Sequence, residues 1–219
     1  MLLSEIDIAK RLVDPDENKR LVITPIVNAK EQFGPSSFDV HLSTDFHQLE
    51  NLNRPYIPLR EALSAEEEAK YSKKVVLAAE TREGSLYLHP GEFVLASTLE
   101  YFQFPDDLAG RIEGRSSWGR LGLLVHATAG FVDPGYAGAL TFELSNVGRL
   151  PIELKPGLRL GQVCFFQMSE SSLIPYDKKH RAKYLGAPGV QGSRAHADPE
   201  VRRKSKLVRH KRLGTQNIP

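Results

Sequence analysis

The 219-residue sequence predicts a mainly β protein, a distorted β-barrel or jelly roll with a few short helices. From Val75 onward, apolar and polar residues alternate in short runs: VVLAAE, SLYLH, EFVLASTLEYFQF, LAGRIE, GLLVHAT, ALTFELS, IELK and QVCFFQM. The turn sequences HPGE, FPDD, DPGY and KPGL separate several of these runs. Short strands with a turn about every eight to twelve residues are typical of antiparallel sandwiches and barrels.

The first third of the chain adds helices and two further strands to this pattern. Ser4-Glu5-Ile6-Asp7 has the form of a capping box and predicts a short helix through Leu12. Strands are predicted at Leu21–Pro25 and, after the Gly34-Pro35 turn, at Ser37–Leu42. Residues 60–73, LREALSAEEEAKYS, have a helical pattern that interrupts the β pattern, so they are interpreted as an inserted surface helix.

Composition excludes several classes of protein. The hydrophobic content of 41% and the charged content of 26% are ordinary for a globular protein, and no apolar run has the length of a membrane span. The acidic N-terminal segment does not resemble a signal peptide, so a cytoplasmic location is expected. Cys164, the single cysteine, lies in an apolar run and is predicted to be a buried core thiol. One cysteine cannot supply the Cys-x-x-Cys pair of zinc nucleoside deaminases, and no other spacing predicts a protein metal site.

The C-terminal end differs in charge from the rest of the chain. Residues 194–219 hold eight Lys/Arg against two acidic residues, whereas residues 1–193 hold 21 against 25. We therefore predict one domain over residues 1–193, with residues 176–193 as a mobile glycine-rich arm, and a separate basic tail. Asp198-Pro199 would cap a basic helix that ends near Gly214. A solvated tail is favoured, and binding of nucleic acid or another acidic partner is the alternative.

Two turn segments are candidates for ligand binding. In Gly114–Arg120, GRSSWGR, two hydroxyls and two arginines stand where a strand enters a helical turn, an arrangement that suits phosphate; an ordinary helix cap with solvated arginines is the alternative. Asp133-Pro134-Gly135-Tyr136 is a turn in which Asp133 could bind a ribose hydroxyl or a water. His126 lies in an apolar run and is interpreted as a core histidine.

Glu143 interrupts an apolar strand and can be interpreted in two ways. Alternation places Leu140, Phe142 and Leu144 on one face and Glu143 on the other. On that second face the carboxylate could contact water only, or it could lie in a pocket and act as an acid or a base. The strand pattern alone leaves both possibilities open.

Several motifs taken in order resemble the dCTP deaminase branch of the trimeric dUTPase superfamily. They are MLLSEIDIAKRL, GPSSFDVHL, the long segment from SLYLHPGE through GRSSWGRLGLLVHATAGFVDPGYAGALTFELSN, PGLRLGQ and KYLG. The resemblance covers residues 1 to about 194. It implies a dUTPase-like barrel that assembles as a homotrimer, with each site formed between subunits. It also implies dCTP and dUTP as ligands, with Mg²⁺ carried by the nucleotide phosphates and no zinc.

The resemblance implies a role for each matched residue. Glu143 would be the general base of deamination, while Ser116, Arg120 and the Ala129 carbonyl would hold the attacking water and keep Glu143 ionised. Asp133 would contact the sugar 3′-hydroxyl, and the backbone at Thr141 and Phe142 would read the cytosine edge. The remaining substrate-binding positions lie along or over the triphosphate: Arg115, Ser116, Ser117, Trp118, Gly119, Arg120, Gln162, Tyr176 and Lys183.

The segment Thr128–Asp133, TAGFVD, favours a reaction that continues from dUTP to dUMP and diphosphate. It is similar to the form found in dUMP-forming members, in which Gly130 would admit a water in line with the α-phosphate and Asp133 would orient it. Deamination that stops at dUTP, and dUTP pyrophosphatase activity alone, are the alternatives. A nucleotide-responsive binding protein is the non-enzymatic alternative. One departure concerns the arm, where Ala187 replaces a nucleotide-contacting glutamine and Gln191 is close enough in sequence to substitute.

Overall fold

The computed structural model describes residues 1–50, 55–57, 64–77, 84–126, 128 and 130–198. The chain divides into two compact units. The first contains Met1–Gln48 and Lys74–Gln191, and the second contains Leu49–Lys73 and Gly192–Pro219. Every predicted site residue lies in the first unit.

Strands dominate the described residues, as the sequence predicts. The helices are short: α1 (Glu5–Leu12), α2 (Ala29–Gln32), α3 (Ala65–Tyr71), α4 (Ser116–Gly119) and a 3₁₀ turn (Ala195–Ala197). The strands are β1 (Val22–Thr24), β2 (Phe33–Gly34), β3 (Ser37–Leu49), β4 (Ser72–Val76), β5 (Leu86–Leu88), β6 (Phe93–Gln103), β7 (Leu108–Gly114), β8 (Leu123–Leu124), β9 (Phe131–Val132), β10 (Ala137–Asn146), β11 (Ile152–Leu154) and β12 (Arg159–Gln167).

The long strand β3 joins two halves of the main sheet, which has the antiparallel order β8-β10-β6-β3-β12-β7-β9. Its first half pairs with β12, with Phe38 opposite Val163. Its second half pairs with β6, with Phe46 opposite Ala96, after a register shift that follows Leu42. Because one strand belongs to both halves, the sheet folds around a single core, in agreement with the predicted distorted barrel.

The core contains the inward-facing residues of both halves of the sheet. Five phenylalanines have no exposed surface: Phe38, Phe46, Phe102, Phe142 and Phe165. Phe104 stacks on Phe102 with ring centroids 5.9 Å apart and lies 5.7 Å from Phe165. Burial of a large aromatic side chain contributes about 1.5–3 kcal/mol to folding, so these rings fix how the two halves of the sheet pack.

Local predictions for the first unit mostly agree with the structure, with one exception. The Ser4 hydroxyl accepts a hydrogen bond from the Asp7 amide at 3.3 Å and starts α1, as the capping sequence predicts. The prediction of a buried core thiol is wrong, since Cys164 is only half-buried. Its neighbours Val163 and Phe165 are the residues of β12 that face the core, and alternation turns Cys164 to the outer face.

The second unit contains α3 and the start of the C-terminal segment. The Ser64 and Glu67 side chains form a capping box, and Glu66 pairs with Lys70 at 3.0 Å. His196 Nδ1 lies 2.8 Å from Glu68 Oε2. Residues 60–63 of the predicted inserted helix and residues 199–214 of the predicted basic helix lie outside the described residues. Within the described part of the chain, no helix is both long enough and apolar enough to cross a membrane.

Candidate active site

Glu143 lies on the open face of β10. Its neighbours Phe142 and Leu144 have no exposed surface, whereas 26% of the Glu143 side chain is exposed. The alternation that the sequence predicts is therefore present, and it turns the carboxylate out of the core. The side chain is also too covered to be an ordinary surface glutamate.

The segment that follows β8 covers the Glu143 carboxylate. The Glu143 amide donates to the Val125 carbonyl at 3.1 Å, which holds this segment beside β10. Oε2 of Glu143 accepts a hydrogen bond from the Thr128 amide at 3.3 Å and lies 3.8 Å from His126 Nδ1. This backbone hydrogen bond fixes the orientation of the carboxylate. Ala129 lies outside the described residues, so the role of its carbonyl stays a prediction.

Gly130 provides the space that the His126 ring occupies. A Cβ atom at Gly130 would lie 2.8 Å from His126 Nε2, 2.9 Å from His126 Cδ2 and 3.0 Å from the Ile112 carbonyl oxygen. The ring is thus held between Gly130 and the Glu143 carboxylate. The interpretation of His126 as a core histidine did not predict that its ring lies beside Glu143. Gly130, four residues later, was the available signal, because it leaves space for the ring.

The turn after β7 holds the predicted phosphate-binding residues. Arg115 forms an ion pair with Asp39, with Nε 3.2 Å from Oδ2, and its Nη1 donates to the Arg159 carbonyl at 3.2 Å. The Trp118 indole donates to the same carbonyl at 2.8 Å and packs against the core, which gives Trp118 a structural role in the turn. The other predicted residues of this turn are exposed: Ser116, Ser117, Gly119 and Arg120.

Within the described residues, no hydrogen bond or ion pair joins Glu143 to its two predicted side-chain partners. Among the described residues, the side chains of Ser116 and Arg120 form no hydrogen bond or ion pair, either with Glu143 or with another residue. The resemblance predicts that both act on the water beside Glu143. A complete site of that kind therefore requires more than the described part of one chain.

The turn that contains Asp133 contacts the start of the arm at Tyr176. The Tyr176 amide donates to the Pro134 carbonyl at 2.7 Å, and the Tyr176 hydroxyl accepts from the Tyr184 amide at 3.1 Å. The Asp133 carboxylate is 53% exposed, and Lys179 Nζ lies 3.9 Å from its Oδ2. Sequence reasoning missed Lys179, because a lysine in a polar segment gives no signal of its own.

The arm packs against the start of β10. The Gly186 amide donates to the Ala137 carbonyl at 2.7 Å, and the Ala139 amide donates to the Ala187 carbonyl at 2.8 Å. Ala187, the residue that replaces the expected glutamine, is only 6% exposed, and its backbone forms a β-bridge with Gly138. The predicted mobility of residues 176–193 stays a prediction.

Tyr136 also stabilises the start of β10, where the arm binds. Burial raises the pKa of its phenol above the ordinary value, with smaller contributions from Tyr176 and Tyr101. The hydroxyl therefore stays protonated and donates to the Ala139 carbonyl at 2.7 Å. This bond fixes the residue of β10 that also binds the arm.

Three other predicted residues have defined places in the sheet. Thr141 is half-buried on the Glu143 face, and Phe142 is a core residue whose backbone alone could contact a ligand. Gln162 lies in β12, and its Oε1 accepts a hydrogen bond from the Ser37 hydroxyl at 3.1 Å. Lys183 is half-buried within the arm. Within the described ranges, no group of three or more His, Cys, Asp or Glu side chains could hold a metal ion.

Comparison with known proteins identifies the family. The model of the "dCTP deaminase-like" family matches residues 2–168. The chain belongs to this family. It is 42% identical over 200 residues to a Dictyoglomus thermophilum protein named "dCTP deaminase, dUMP-forming", covering 90% of this chain and 96% of that one. A Mycolicibacterium smegmatis protein of the same name is 44% identical over 198 residues, covering 90% and 97%.

Two further comparisons extend this result. A Haloarcula marismortui protein named "dCTP deaminase" is 40% identical over 200 residues, covering 91% of this chain and 97% of that one. The crystal structure of 2′-deoxycytidine 5′-triphosphate deaminase from Agrobacterium tumefaciens superposes with a TM-score of 0.54 at 20% identity. That superposition covers 75% of this chain and 47% of the Agrobacterium chain, and it confirms the fold.

Proposed function

We propose that this protein deaminates dCTP and hydrolyses the resulting dUTP to dUMP and diphosphate. The observation that carries the proposal is the partly buried Glu143 carboxylate on the open face of β10. This carboxylate accepts a hydrogen bond from the Thr128 amide and lies beside His126. Relatives of nearly equal length that are named for the dUMP-forming reaction support the choice of substrate.

In the proposed first step, Glu143 removes a proton from a water as the water oxygen attacks C4 of cytosine. Glu143 then returns the proton to the amino group, and the C4–N bond breaks to release ammonia. The remaining proton on the C4 hydroxyl moves to N3, which gives the C4 carbonyl and N3–H of uracil. A carboxylate can perform both transfers without a metal. The backbone donor at Thr128 orients the carboxylate for both transfers.

In the proposed second step, a water attacks the α-phosphorus of dUTP and the α–β phosphoanhydride bond breaks, which releases dUMP and diphosphate. Asp133 would orient this water, since its carboxylate is exposed beside Tyr176 and Lys179. Mg²⁺ would enter bound to the nucleotide phosphates and offset part of their charge. The substrate is a metabolic nucleotide, which favours a cytoplasmic location.

We further propose that the active site is shared between the subunits of a homotrimer. Arg120 has no ion-pair partner among the described residues, so its guanidinium is free to reach a second copy of the chain. The exposed side chains of Leu121 and Leu124, 66% and 42% accessible beside the same turn, suit a subunit interface.

Mixed assembly of the inactive variants Glu143→Gln and Arg120→Ala should recover activity, because some sites would then combine intact residues from two chains. No recovery in verified mixed trimers would contradict a shared site.

The variant Glu143→Gln tests the assignment of the base. It keeps the size and hydrogen-bonding capacity of the side chain but cannot accept the proton from water. We expect dCTP binding to persist in calorimetry and ammonia release to fall by at least about 10³-fold. Glu153→Gln, at the exposed position of strand β11, is the matched control and should remain active. Ammonia release by Glu143→Gln at the wild-type rate would refute the role of Glu143.

A further inference from the structure

Asp39 forms ion pairs in the interior of the first unit that the proposed mechanism does not use. It lies in β3 opposite Gln162 of β12, and its carboxylate is only 12% exposed. Gln32, which is fully buried, donates to the Asp39 carbonyl at 3.1 Å. The backbone at Asp39 is therefore fixed from two sides.

The Asp39 carboxylate touches two arginines that belong to different elements. Its Oδ2 lies 3.2 Å from Nε of Arg115, at the start of the α4 turn, and 3.4 Å from Nη1 of Arg159, at the start of β12. Arg115 also donates through Nη1 to the Arg159 carbonyl. These bonds engage Nε and Nη1 of Arg115 and leave Nη2 without a partner among the described residues.

An arginine that is held through two of its nitrogens has a fixed guanidinium plane. The planar guanidinium has five N–H donors in a rigid arrangement, so fixing Nε and Nη1 also fixes Nη2. We propose that Asp39 is a positioning residue, which aims Nη2 of Arg115 at the nucleotide phosphates. The inference rests on the proposed function for the identity of the nucleotide.

The electrostatic balance at Asp39 agrees with a role in positioning. Burial raises the pKa of the Asp39 carboxyl above its ordinary value, although Arg115 and Arg159 act in the opposite direction. The ionised carboxylate thus costs folding free energy, because desolvation exceeds the attraction of both arginines. The charge of Asp39 is therefore better explained by the orientation of Arg115 than by a contribution to stability.

Asp39→Asn and Glu31→Gln form a matched pair of variants. Glu31 pairs with Arg159 at 2.9 Å and, among the described interactions, forms no ion pair with Arg115. Glu31→Gln therefore removes a carboxylate from the same cluster and leaves the ion pair of Arg115 in place. We expect Asp39→Asn to raise the KM for dCTP about tenfold, with kcat changed by less than about twofold, since one charge-assisted phosphate contact is misaligned. The thermal midpoint of Asp39→Asn should equal or exceed that of the wild type. Glu31→Gln should keep the wild-type KM.

Two further measurements separate positioning from a general structural effect. The inhibition constant of inorganic tripolyphosphate should rise by the same factor in Asp39→Asn as the KM for dCTP. In an Arg115→Ala background, Asp39→Asn should have no additional effect on KM, because Asp39 acts through Arg115. An unchanged KM, an additive effect in that background, or a loss of kcat that parallels a fall in the thermal midpoint would overturn the inference.

The tripolyphosphate measurement also separates this inference from the proposed function. Binding of tripolyphosphate requires no turnover and can be followed by calorimetry. Weaker binding by Asp39→Asn in a protein that leaves dCTP unchanged would refute the proposed reaction while still supporting the role of Asp39.

Discussion

Replacement of Gly130 by alanine perturbs the neighbourhood of Glu143 through a single methyl group. The effect is steric, because the added Cβ would enter the space that the His126 ring occupies. The added Cβ would lie 2.8 Å from His126 Nε2. Ordinary contacts between such atoms begin near about 3.5 Å, so the ring must move by about 0.7 Å.

The size of this movement sets the expected loss of activity. Misplacement by about 1 Å near reacting groups can reduce the rate about 10²-fold, so kcat for deamination should fall about 10- to 100-fold. Overpacking of this kind costs about 1–3 kcal/mol of stability, which corresponds to a fall of about 2–12 °C in the thermal midpoint. The variant should therefore still be folded at 25 °C, where ammonia release from dCTP would be measured.

A double-mutant cycle identifies the His126 ring as the cause. In a His126→Ala background the clash with the ring is absent, and Gly130→Ala should have much less effect on kcat. If Gly130→Ala reduced kcat equally in both backgrounds, the remaining contact with the Ile112 carbonyl would be the cause. Wild-type activity in the single variant would refute the reasoning altogether.

Three other predictions follow from the structure. Burial and Glu113 raise the pKa of the Cys164 thiol, so iodoacetamide at about pH 8 should modify the folded protein more slowly than the urea-unfolded protein; equal rates would contradict this. The Asp39 pKa is raised above 3.8, so the unfolded chain ionises first and stability declines as the pH rises through that range. From about pH 3 to about pH 6, the unfolding free energy of the wild type should therefore fall relative to that of Asp39→Asn. A difference that stays constant over this range would contradict the prediction. Asp133→Asn should keep ammonia release but lower the ratio of dUMP to dUTP; an unchanged ratio would exclude Asp133 from the second step.

The sequence predicts the parts of the fold that depend on local pattern. Alternation identifies β10 and places Glu143 opposite its buried neighbours, and the Ser4 cap identifies the start of α1. The prediction for Cys164 relied instead on the apolar character of the run QVCFF, whereas only one face of β12 packs against the core. Alternation within that run was the stronger signal.

Contacts between distant segments account for what the sequence does not predict. The ion pair of Asp39 with Arg115 joins residues 76 positions apart, and that of Asp133 with Lys179 joins residues 46 apart. His126 becomes significant only because Gly130 leaves room for its ring. Each contact depends on strand order and register, which composition and periodicity do not specify. The matched family motifs supplied the candidate residues, and the structure supplied their neighbours.

The products formed from dCTP show directly whether the protein catalyses both proposed reactions. Purified protein would be incubated with dCTP and Mg²⁺, ammonia would be quantified, and dUTP, dUMP and diphosphate would be separated by anion exchange. We expect dUMP, diphosphate and ammonia in equal amounts, with little free dUTP. Unchanged dCTP under conditions in which the same protein hydrolyses dUTP would contradict this expectation, because Glu143 would then have no role as a base in deamination.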